Sequence, residues 1–202
     1  MRRRPRRAPP IVAFSGPSGV GKTALLERLV AELVRRGLAV AALKHSGHPH
    51  AFDVPGKDSD RLRRAGAVAV AVQGPAQLAW FGPPIRGGAR AMVRLLPPAD
   101  VVLAEGFKAE RLPRVEVHRR EVSLAFLCAE DRRVMAVVGD EAPPRPMPLF
   151  AADDVAGLAD FLCERFGLGK RAGPAAAPRR GSGDPPGRRA TAARPRVRPQ
   201  RR

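Results

Sequence analysis

Apolar residues along this chain fall into two patterns, and their succession predicts the fold class. Ile11-Val12-Ala13-Phe14 is an unbroken apolar run that, with Ser15, reads as a strand buried on both faces. From Thr23 to Arg36 the period changes. Leu26, Leu29, Val30, Leu33 and Val34 recur at helical spacing, and Gly37 is a natural helix stop. Leu38 to Leu43 is again apolar without alternation, the pattern of a parallel strand covered on both faces, so strand, helix and strand form a right-handed βαβ unit. Further on, the pattern predicts a short helix over 58–65 capped by Asp58 or Ser59, a buried strand over 67–72 and another strand over 77–81. A helix over 88–96 is stopped by Pro97-Pro98, and 100–104 and 134–138 are core strands. Asp153-Asp154 opens a final helix with Val155, Leu158, Phe161, Leu162 and Phe166 on its apolar face. Segments 115–117 and 123–127 alternate more, which predicts an antiparallel extension of a mostly parallel sheet in an α/β fold.

Between the first strand and helix lies Gly16-Pro17-Ser18-Gly19-Val20-Gly21-Lys22-Thr23, which fits G-x-x-x-x-G-K-[ST] at every specified position. Strand, loop and helix are the context in which this motif cradles phosphate, so the fold expected is the three-layer P-loop NTPase. The loop turns successive N–H groups toward an anion and ends at a helix start with its own partial positive charge. Lys22 is the residue that reaches the β- and γ-phosphates, and the Thr23 hydroxyl is the Mg²⁺ ligand.

Asp100-Val101-Val102-Leu103-Ala104-Glu105-Gly106 is the second chemical element. Ligands of open α/β sheets bind outside the carboxyl ends of the strands, so Glu105 and not Asp100 faces the nucleotide. Its role is to hold Mg²⁺ through water or to position an attacking water. Lys22 and Glu105 are thus the candidate catalytic residues, and Thr23 and Glu105 the candidate metal ligands.

The loop from Lys44 to Lys57 is longer than a connector needs and leaves the strand neighbouring the first, so it reaches the same crevice. His45, His48 and His50 are imidazole donors without a cysteine, and a cationic loop around an anionic ligand is the preferred reading over a transition-metal site. Lys44, His45, Asp53, Lys57 and Arg61 are assigned to that anionic ligand, a phosphate group. No N-K-x-D guanine motif is present, but Asp140 follows the 134–138 strand at the sheet end where an acid would accept from guanine N1 and N2.

Charge changes the picture less than its total suggests. Residues 1–10 hold five arginines and 170–202 hold eleven Lys or Arg against Asp184, so the tails carry +15 of the formal +18 and residues 11–169 only +3. Both tails are rich in Arg, Pro, Gly and Ala, which predicts disordered extensions able to hold polyanions weakly, flanking one nucleotide-binding domain over 11–169. Neither a signal peptide nor a membrane span is visible, and Cys128 and Cys163 lack a C-x-x-C partner, which suits a soluble protein of a reducing cytoplasm.

The cradle together with Lys44-His45, the run Phe52-Asp53-Val54-Pro55-Gly56-Lys57-Asp58-Ser59, Arg61, Ala65-Gly66-Ala67, Glu105-Gly106-Phe107-Lys108 and Pro113-Arg114-Val115-Glu116-Val117 resembles the molybdopterin-guanine dinucleotide biosynthesis adaptor family (MobB) over residues 11–165. The resemblance implies a GTP-binding homodimer with feeble hydrolysis, assisting the guanylyltransferase that attaches GMP to molybdopterin. Two other readings share the cradle. A small-molecule kinase needs a catalytic acid near an acceptor hydroxyl and an Arg-bearing lid, for which no segment stands out; a metal-insertion GTPase rests on the histidine cluster.

Overall fold

The computed structural model describes residues 8–47 and 51–169. In chain order the elements are β1 (Ile11–Ser15), α1 (Lys22–Arg35), β2 (Val40–Lys44), α2 (Asp58–Arg64), β3 (Val70–Gln73), β4 (Leu78–Phe81), α3 (Gly88–Val93), β5 (Val101–Glu105), β6 (Arg114–His118), a 3-10 turn (Leu127–Ala129), β7 (Val134–Gly139), β8 (Leu149–Phe150) and α4 (Val155–Phe166). Six strands form one sheet in the order β2-β5-β1-β6-β7-β8, and every pairing in it is parallel. The expected α/β architecture with its mostly parallel sheet is the one the chain adopts.

Unbroken apolar strands require cover on both faces, and helices supply it. Val12, Phe14, Leu103, Val115 and Val117 pack beneath α1 and α4 with Leu25, Leu29, Leu33, Leu158 and Leu162. Ala13, Val102 and Ala104 face the other side, under Ala89 of α3, Phe107 and Leu112. Each fully buried leucine here is worth roughly 1.5–3 kcal/mol relative to exposure. Past α1, the Gly37 amide donates to Val34 O and the Leu38 amide to Leu33 O, which closes the helix and drops Leu38 into the same core. At the far end, Asp154 caps α4 by accepting from the Gly157 amide at 2.9 Å.

Five expectations are corrected. Segment 115–117 belongs to β6, which pairs in parallel with β1 and β7 and is buried along its whole length. Segment 123–127 is no strand but a turn leading into the 3-10 turn. The antiparallel pair lies elsewhere. Residues 67–72 do not enter the core: β3 covers 70–73 and pairs with β4 in a separate hairpin, with Val68, Val72, Leu78 and Trp80 exposed. A turn of a few residues lets these two runs meet each other, as Gly74 N donates to Gln77 O, and this local closure wins over burial. Strand β2 is an edge strand, so its Ala42 is exposed although Leu43 is buried. Finally, neither Asp58 nor Ser59 caps α2. Lys57 holds the cap position, the Asp60 carboxylate accepts from the Gly56 amide, and the Ser59 hydroxyl donates to Asp53.

The end of α1 is tied to α4 by charge. Arg36 donates to Glu32 at 2.7 Å, to Asp160 at 2.5 Å and to the Ala156 carbonyl, while Arg35 also grips Glu32. Hydrogen bonds from Arg35 and Arg36 hold the Glu32 carboxyl down at about 2. A depressed carboxylate pKa stabilises the fold above the unfolded value and is lost as pH falls through the folded one. Urea unfolding of wild type and Glu32→Gln should therefore differ at pH 6 and converge as pH falls from about 4.5 toward 2. A gap independent of pH would show that the pair acts through packing alone.

Candidate functional site

The carboxyl ends of β2, β5 and β1 lie side by side, and the loop of residues 16–21 leaves the middle of the sheet there. Gly16 has φ +154°, and a Cβ at this position would overlap the carbonyl oxygen of Val117 on β6, so only glycine lets β1 turn into the loop so close to its neighbour. The loop closes on α1 through Gly21 in the left-handed region. Lys22, at the first helical position, arches back, its Nζ donating to Gly16 O at 3.1 Å and Pro17 O at 2.5 Å. Burial holds its pKa below the ordinary lysine value, Glu105 opposes that shift, and Lys108 and Lys44 add to it. Such an ammonium gains from any anion placed in the loop.

Thr23 and Glu105, 82 residues apart, are joined by a hydrogen bond from the Thr23 hydroxyl to Glu105 Oε2 at 2.9 Å. The register that makes this possible is Phe14 opposite Glu105 in the β1–β5 pair. Lys44 Nζ stands 3.5 Å from Glu105 Oε1, and the His45 amide donates to Glu105 O at 2.8 Å. Lys44 and His45 therefore share the crevice. A hydroxyl and a carboxylate converging on one point are hard oxygen donors that fit Mg²⁺, which takes few protein ligands and completes its shell with phosphate and water.

After Glu105 the chain makes two left-handed steps, Gly106 at φ +91° and Phe107 at φ +48°. A Cβ at Gly106 would come 2.5 Å from the His45 carbonyl oxygen. Phe107 has no such freedom, and its conformation costs about 1 kcal/mol that burial of the ring against His45 offsets.

The other sequence candidates are placed less tightly. Asp53 accepts from Ser59 and Arg63, and Arg61 pairs with Asp58 at 3.7 Å, so their contacts hold their own segment together. Lys57 is exposed at the N-cap of α2. Asp140 is exposed at the carboxyl end of β7, where it accepts from the Arg120 amide at 3.2 Å. His48 and His50, like both tails, lie outside the described residues, and among the described residues no three His, Cys, Asp or Glu side chains could share a metal ion. Cys128 and Cys163 are free thiols.

One feature of this region was not recognised from sequence: the polar face of β6. Arg114, Glu116 and His118 alternate with Val115 and Val117, and all three polar residues are at least 97 % buried. Glu116 accepts from the Leu127 and Cys128 amides at 2.7 and 2.8 Å and so organises the 3-10 turn. His118 stacks on Phe126 with centroids 3.7 Å apart, and its Nε2 is 3.2 Å from Glu141. The alternation itself was the available signal. Glu116→Gln leaves one of those buried amides without an acceptor, so urea denaturation should show a loss of about 1–3 kcal/mol. An unchanged midpoint would mean that the amides find another partner.

A sequence model of the family described as molybdopterin guanine dinucleotide synthesis protein B matches residues 11–140. The chain is 34% identical over 177 residues to the molybdopterin-guanine dinucleotide biosynthesis adapter protein of Escherichia coli (strain K12), covering 77% of this chain and 92% of that one. It is 33% identical over 165 residues to the adapter protein of Haemophilus influenzae, covering 76% and 87%. The crystal structure of molybdopterin-guanine biosynthesis protein B superposes with a TM-score of 0.60 at 27% identity over 77% of this chain and 99% of that chain. The crystal structure of Bacillus subtilis MobB gives 0.61 at 26% identity over 77% and 97%.

Proposed function

The chain belongs to the molybdopterin guanine dinucleotide synthesis protein B family, and from that premise we propose that it is a GTP-binding adaptor for the step that converts molybdopterin to molybdopterin guanine dinucleotide, working beside a guanylyltransferase. The observation that carries the nucleotide part is the 2.9 Å hydrogen bond between Thr23 and Glu105 beside the phosphate cradle. In this reading the loop amides and Lys22 bind the phosphates. Lys44 and His45 border them, and Asp140 meets the base. Thr23 and Glu105 would hold Mg²⁺, which would supply positive charge to offset that of the phosphates. Asp53, Lys57 and Arg61 belong to the second anion, the pterin phosphate. Among the described residues no arginine bonds Thr23 or Glu105, which supports slow turnover, because a guanidinium on the transferring phosphoryl group is worth ~10³–10⁵ in rate.

The family places the protein in molybdenum cofactor biosynthesis. Among the described residues no helix is long and apolar enough to cross a membrane, and the free thiols suit a cytoplasmic setting. We assign a homodimer to the exposed apolar hairpin and not to segments 115–117 and 123–127, since β6 has partners on both edges and cannot extend a sheet.

Lys22→Ala should weaken GTP binding about 10- to 100-fold by calorimetry while the fold survives, because the ammonium is partly exposed and outside the core. In a mixture with guanylyltransferase, molybdenum-loaded pterin, GTP and Mg²⁺, wild type should raise the yield of dinucleotide above that with Lys22→Ala or Glu105→Ala. Fast GTP hydrolysis by the protein alone, or no difference among the three, would overturn the adaptor reading in favour of a kinase.

Sedimentation tests the dimer separately. Leu78→Lys with Trp80→Lys should sediment as a monomer where wild type is a dimer, and a dimer in both would place the interface elsewhere.

A further inference from the structure

Beside the phosphate cradle lies a cavity of about 470 Å³ that the chemistry above leaves unused. It shares Gly16 and Pro17 with the cradle and is otherwise bordered by Ser15, Lys108, Arg114, Asp131, residues 122–125 and Leu127. Its size is that of small-molecule sites in general.

The electrostatics are one-sided. Arg114 is 97 % buried on β6, and its guanidinium is held mainly by neutral groups: Ser15 Oγ at 3.3 Å, Lys108 O at 3.4 Å and Glu110 O at 2.6 Å. Carbonyl and hydroxyl oxygens position a guanidinium without cancelling its charge. The nearest carboxylate, Asp131, is 3.4 Å from Nε and makes no hydrogen bond to it. That carboxylate is already committed to Arg133, which donates to it from Nε at 2.7 Å, from Nη2 at 3.0 Å and from its backbone amide at 2.9 Å. Lys108 brings a further ammonium, exposed and unpaired among the described residues. Two guanidiniums thus share one carboxylate, Arg133 from outside the cavity, and Lys108 adds an ammonium at its border, so a second anion is favoured there. Ser15 accepts from Arg114, so its own hydroxyl proton is left to donate, with no acceptor among the described residues.

The opposite side is apolar. Leu124 is fully exposed and Leu127 is 40% exposed, both bordering the cavity. Such residues gain by covering the flat face of a ligand.

We infer that this cavity is a second small-molecule site, one that takes a phosphate monoester carried on an uncharged ring. Lys108 and the Ser15 hydroxyl meet the phosphate, the buried Arg114 supplies a fixed charge beneath it, and Leu124 and Leu127 cover the ring. The inference does not depend on which nucleotide fills the cradle.

Phenyl phosphate tests it on the full chain by amide chemical-shift titration, with inorganic phosphate and phenol as the two halves of the probe. Expected are saturable shifts at Ser15 and residues 122–127, with phenyl phosphate binding more tightly than either half. Lys108→Glu and Leu124→Asp, both exposed positions, should each raise its Kd about fivefold or more. Lys22→Ala should leave it within about twofold, since the cradle lysine does not border the cavity. Shifts confined to residues 19–23, loss of binding in Lys22→Ala, or an unchanged Kd in Lys108→Glu would overturn the inference, because the probe would then sit in the cradle or bind adventitiously. GTP affinity of Lys108→Glu, measured on the same samples, keeps this outcome separate from that of the nucleotide reading.

Discussion

Where β1 runs out, the backbone of residue 16 lies against the Val117 carbonyl, and where β5 runs out, residue 106 lies against the carbonyl of His45. Both approaches exclude a Cβ, and both bring loop backbone into van der Waals contact with the end of a neighbouring strand. The arrangement of the crevice follows from these two contacts. With β1 between β5 and β6, the first brings residues 16–21 over the middle of the sheet, and the second brings Glu105 beside the end of β2. Thr23 then meets Glu105 without either side chain having to reach far. Precision here comes from backbone packing in the centre of a parallel sheet, where side-chain adjustments are small.

Much of this was legible. The motif over 16–23, the apolar runs of β1, β5 and β7 and the stripe of α4 are kept by the structure, whereas on α1 Leu25 is buried and Val34, expected on the apolar face, is 53% exposed. The resemblance to the family was legible from ordered motifs spread over most of the chain, and the comparisons agree with it. The misreadings share a cause. Alternation in Arg114-Val115-Glu116-Val117-His118 has the signature of a half-solvated antiparallel strand, and no periodicity argument reveals that the polar side is buried under 119–131 and satisfied by amides and a stacked ring. Residues 67–72 fail in the opposite sense, because small apolar residues were assigned to the core and stand on a hairpin outside it. In both cases tertiary context decides which face meets water.

The polar face of β6 also separates two chemistries that adjoin one another. On one side of Gly16 and Pro17 the loop offers amides and Lys22, which suit the concentrated charge of a polyphosphate. On the other side a guanidinium sits under an apolar border, which suits a bulkier, singly phosphorylated molecule. A common backbone segment of two residues is thus a party to both.

The position of β2 at the sheet edge has a consequence for time as well as for space. Strand β1 is hydrogen-bonded to a neighbour on each side, so the amides beneath the cradle become accessible only when the whole domain opens. Strand β2 has one neighbour, and Lys44 and His45 hang from its end. The crevice therefore has one wall paired along both edges and another paired along one, so the amides of the β2 wall are expected to exchange with solvent first.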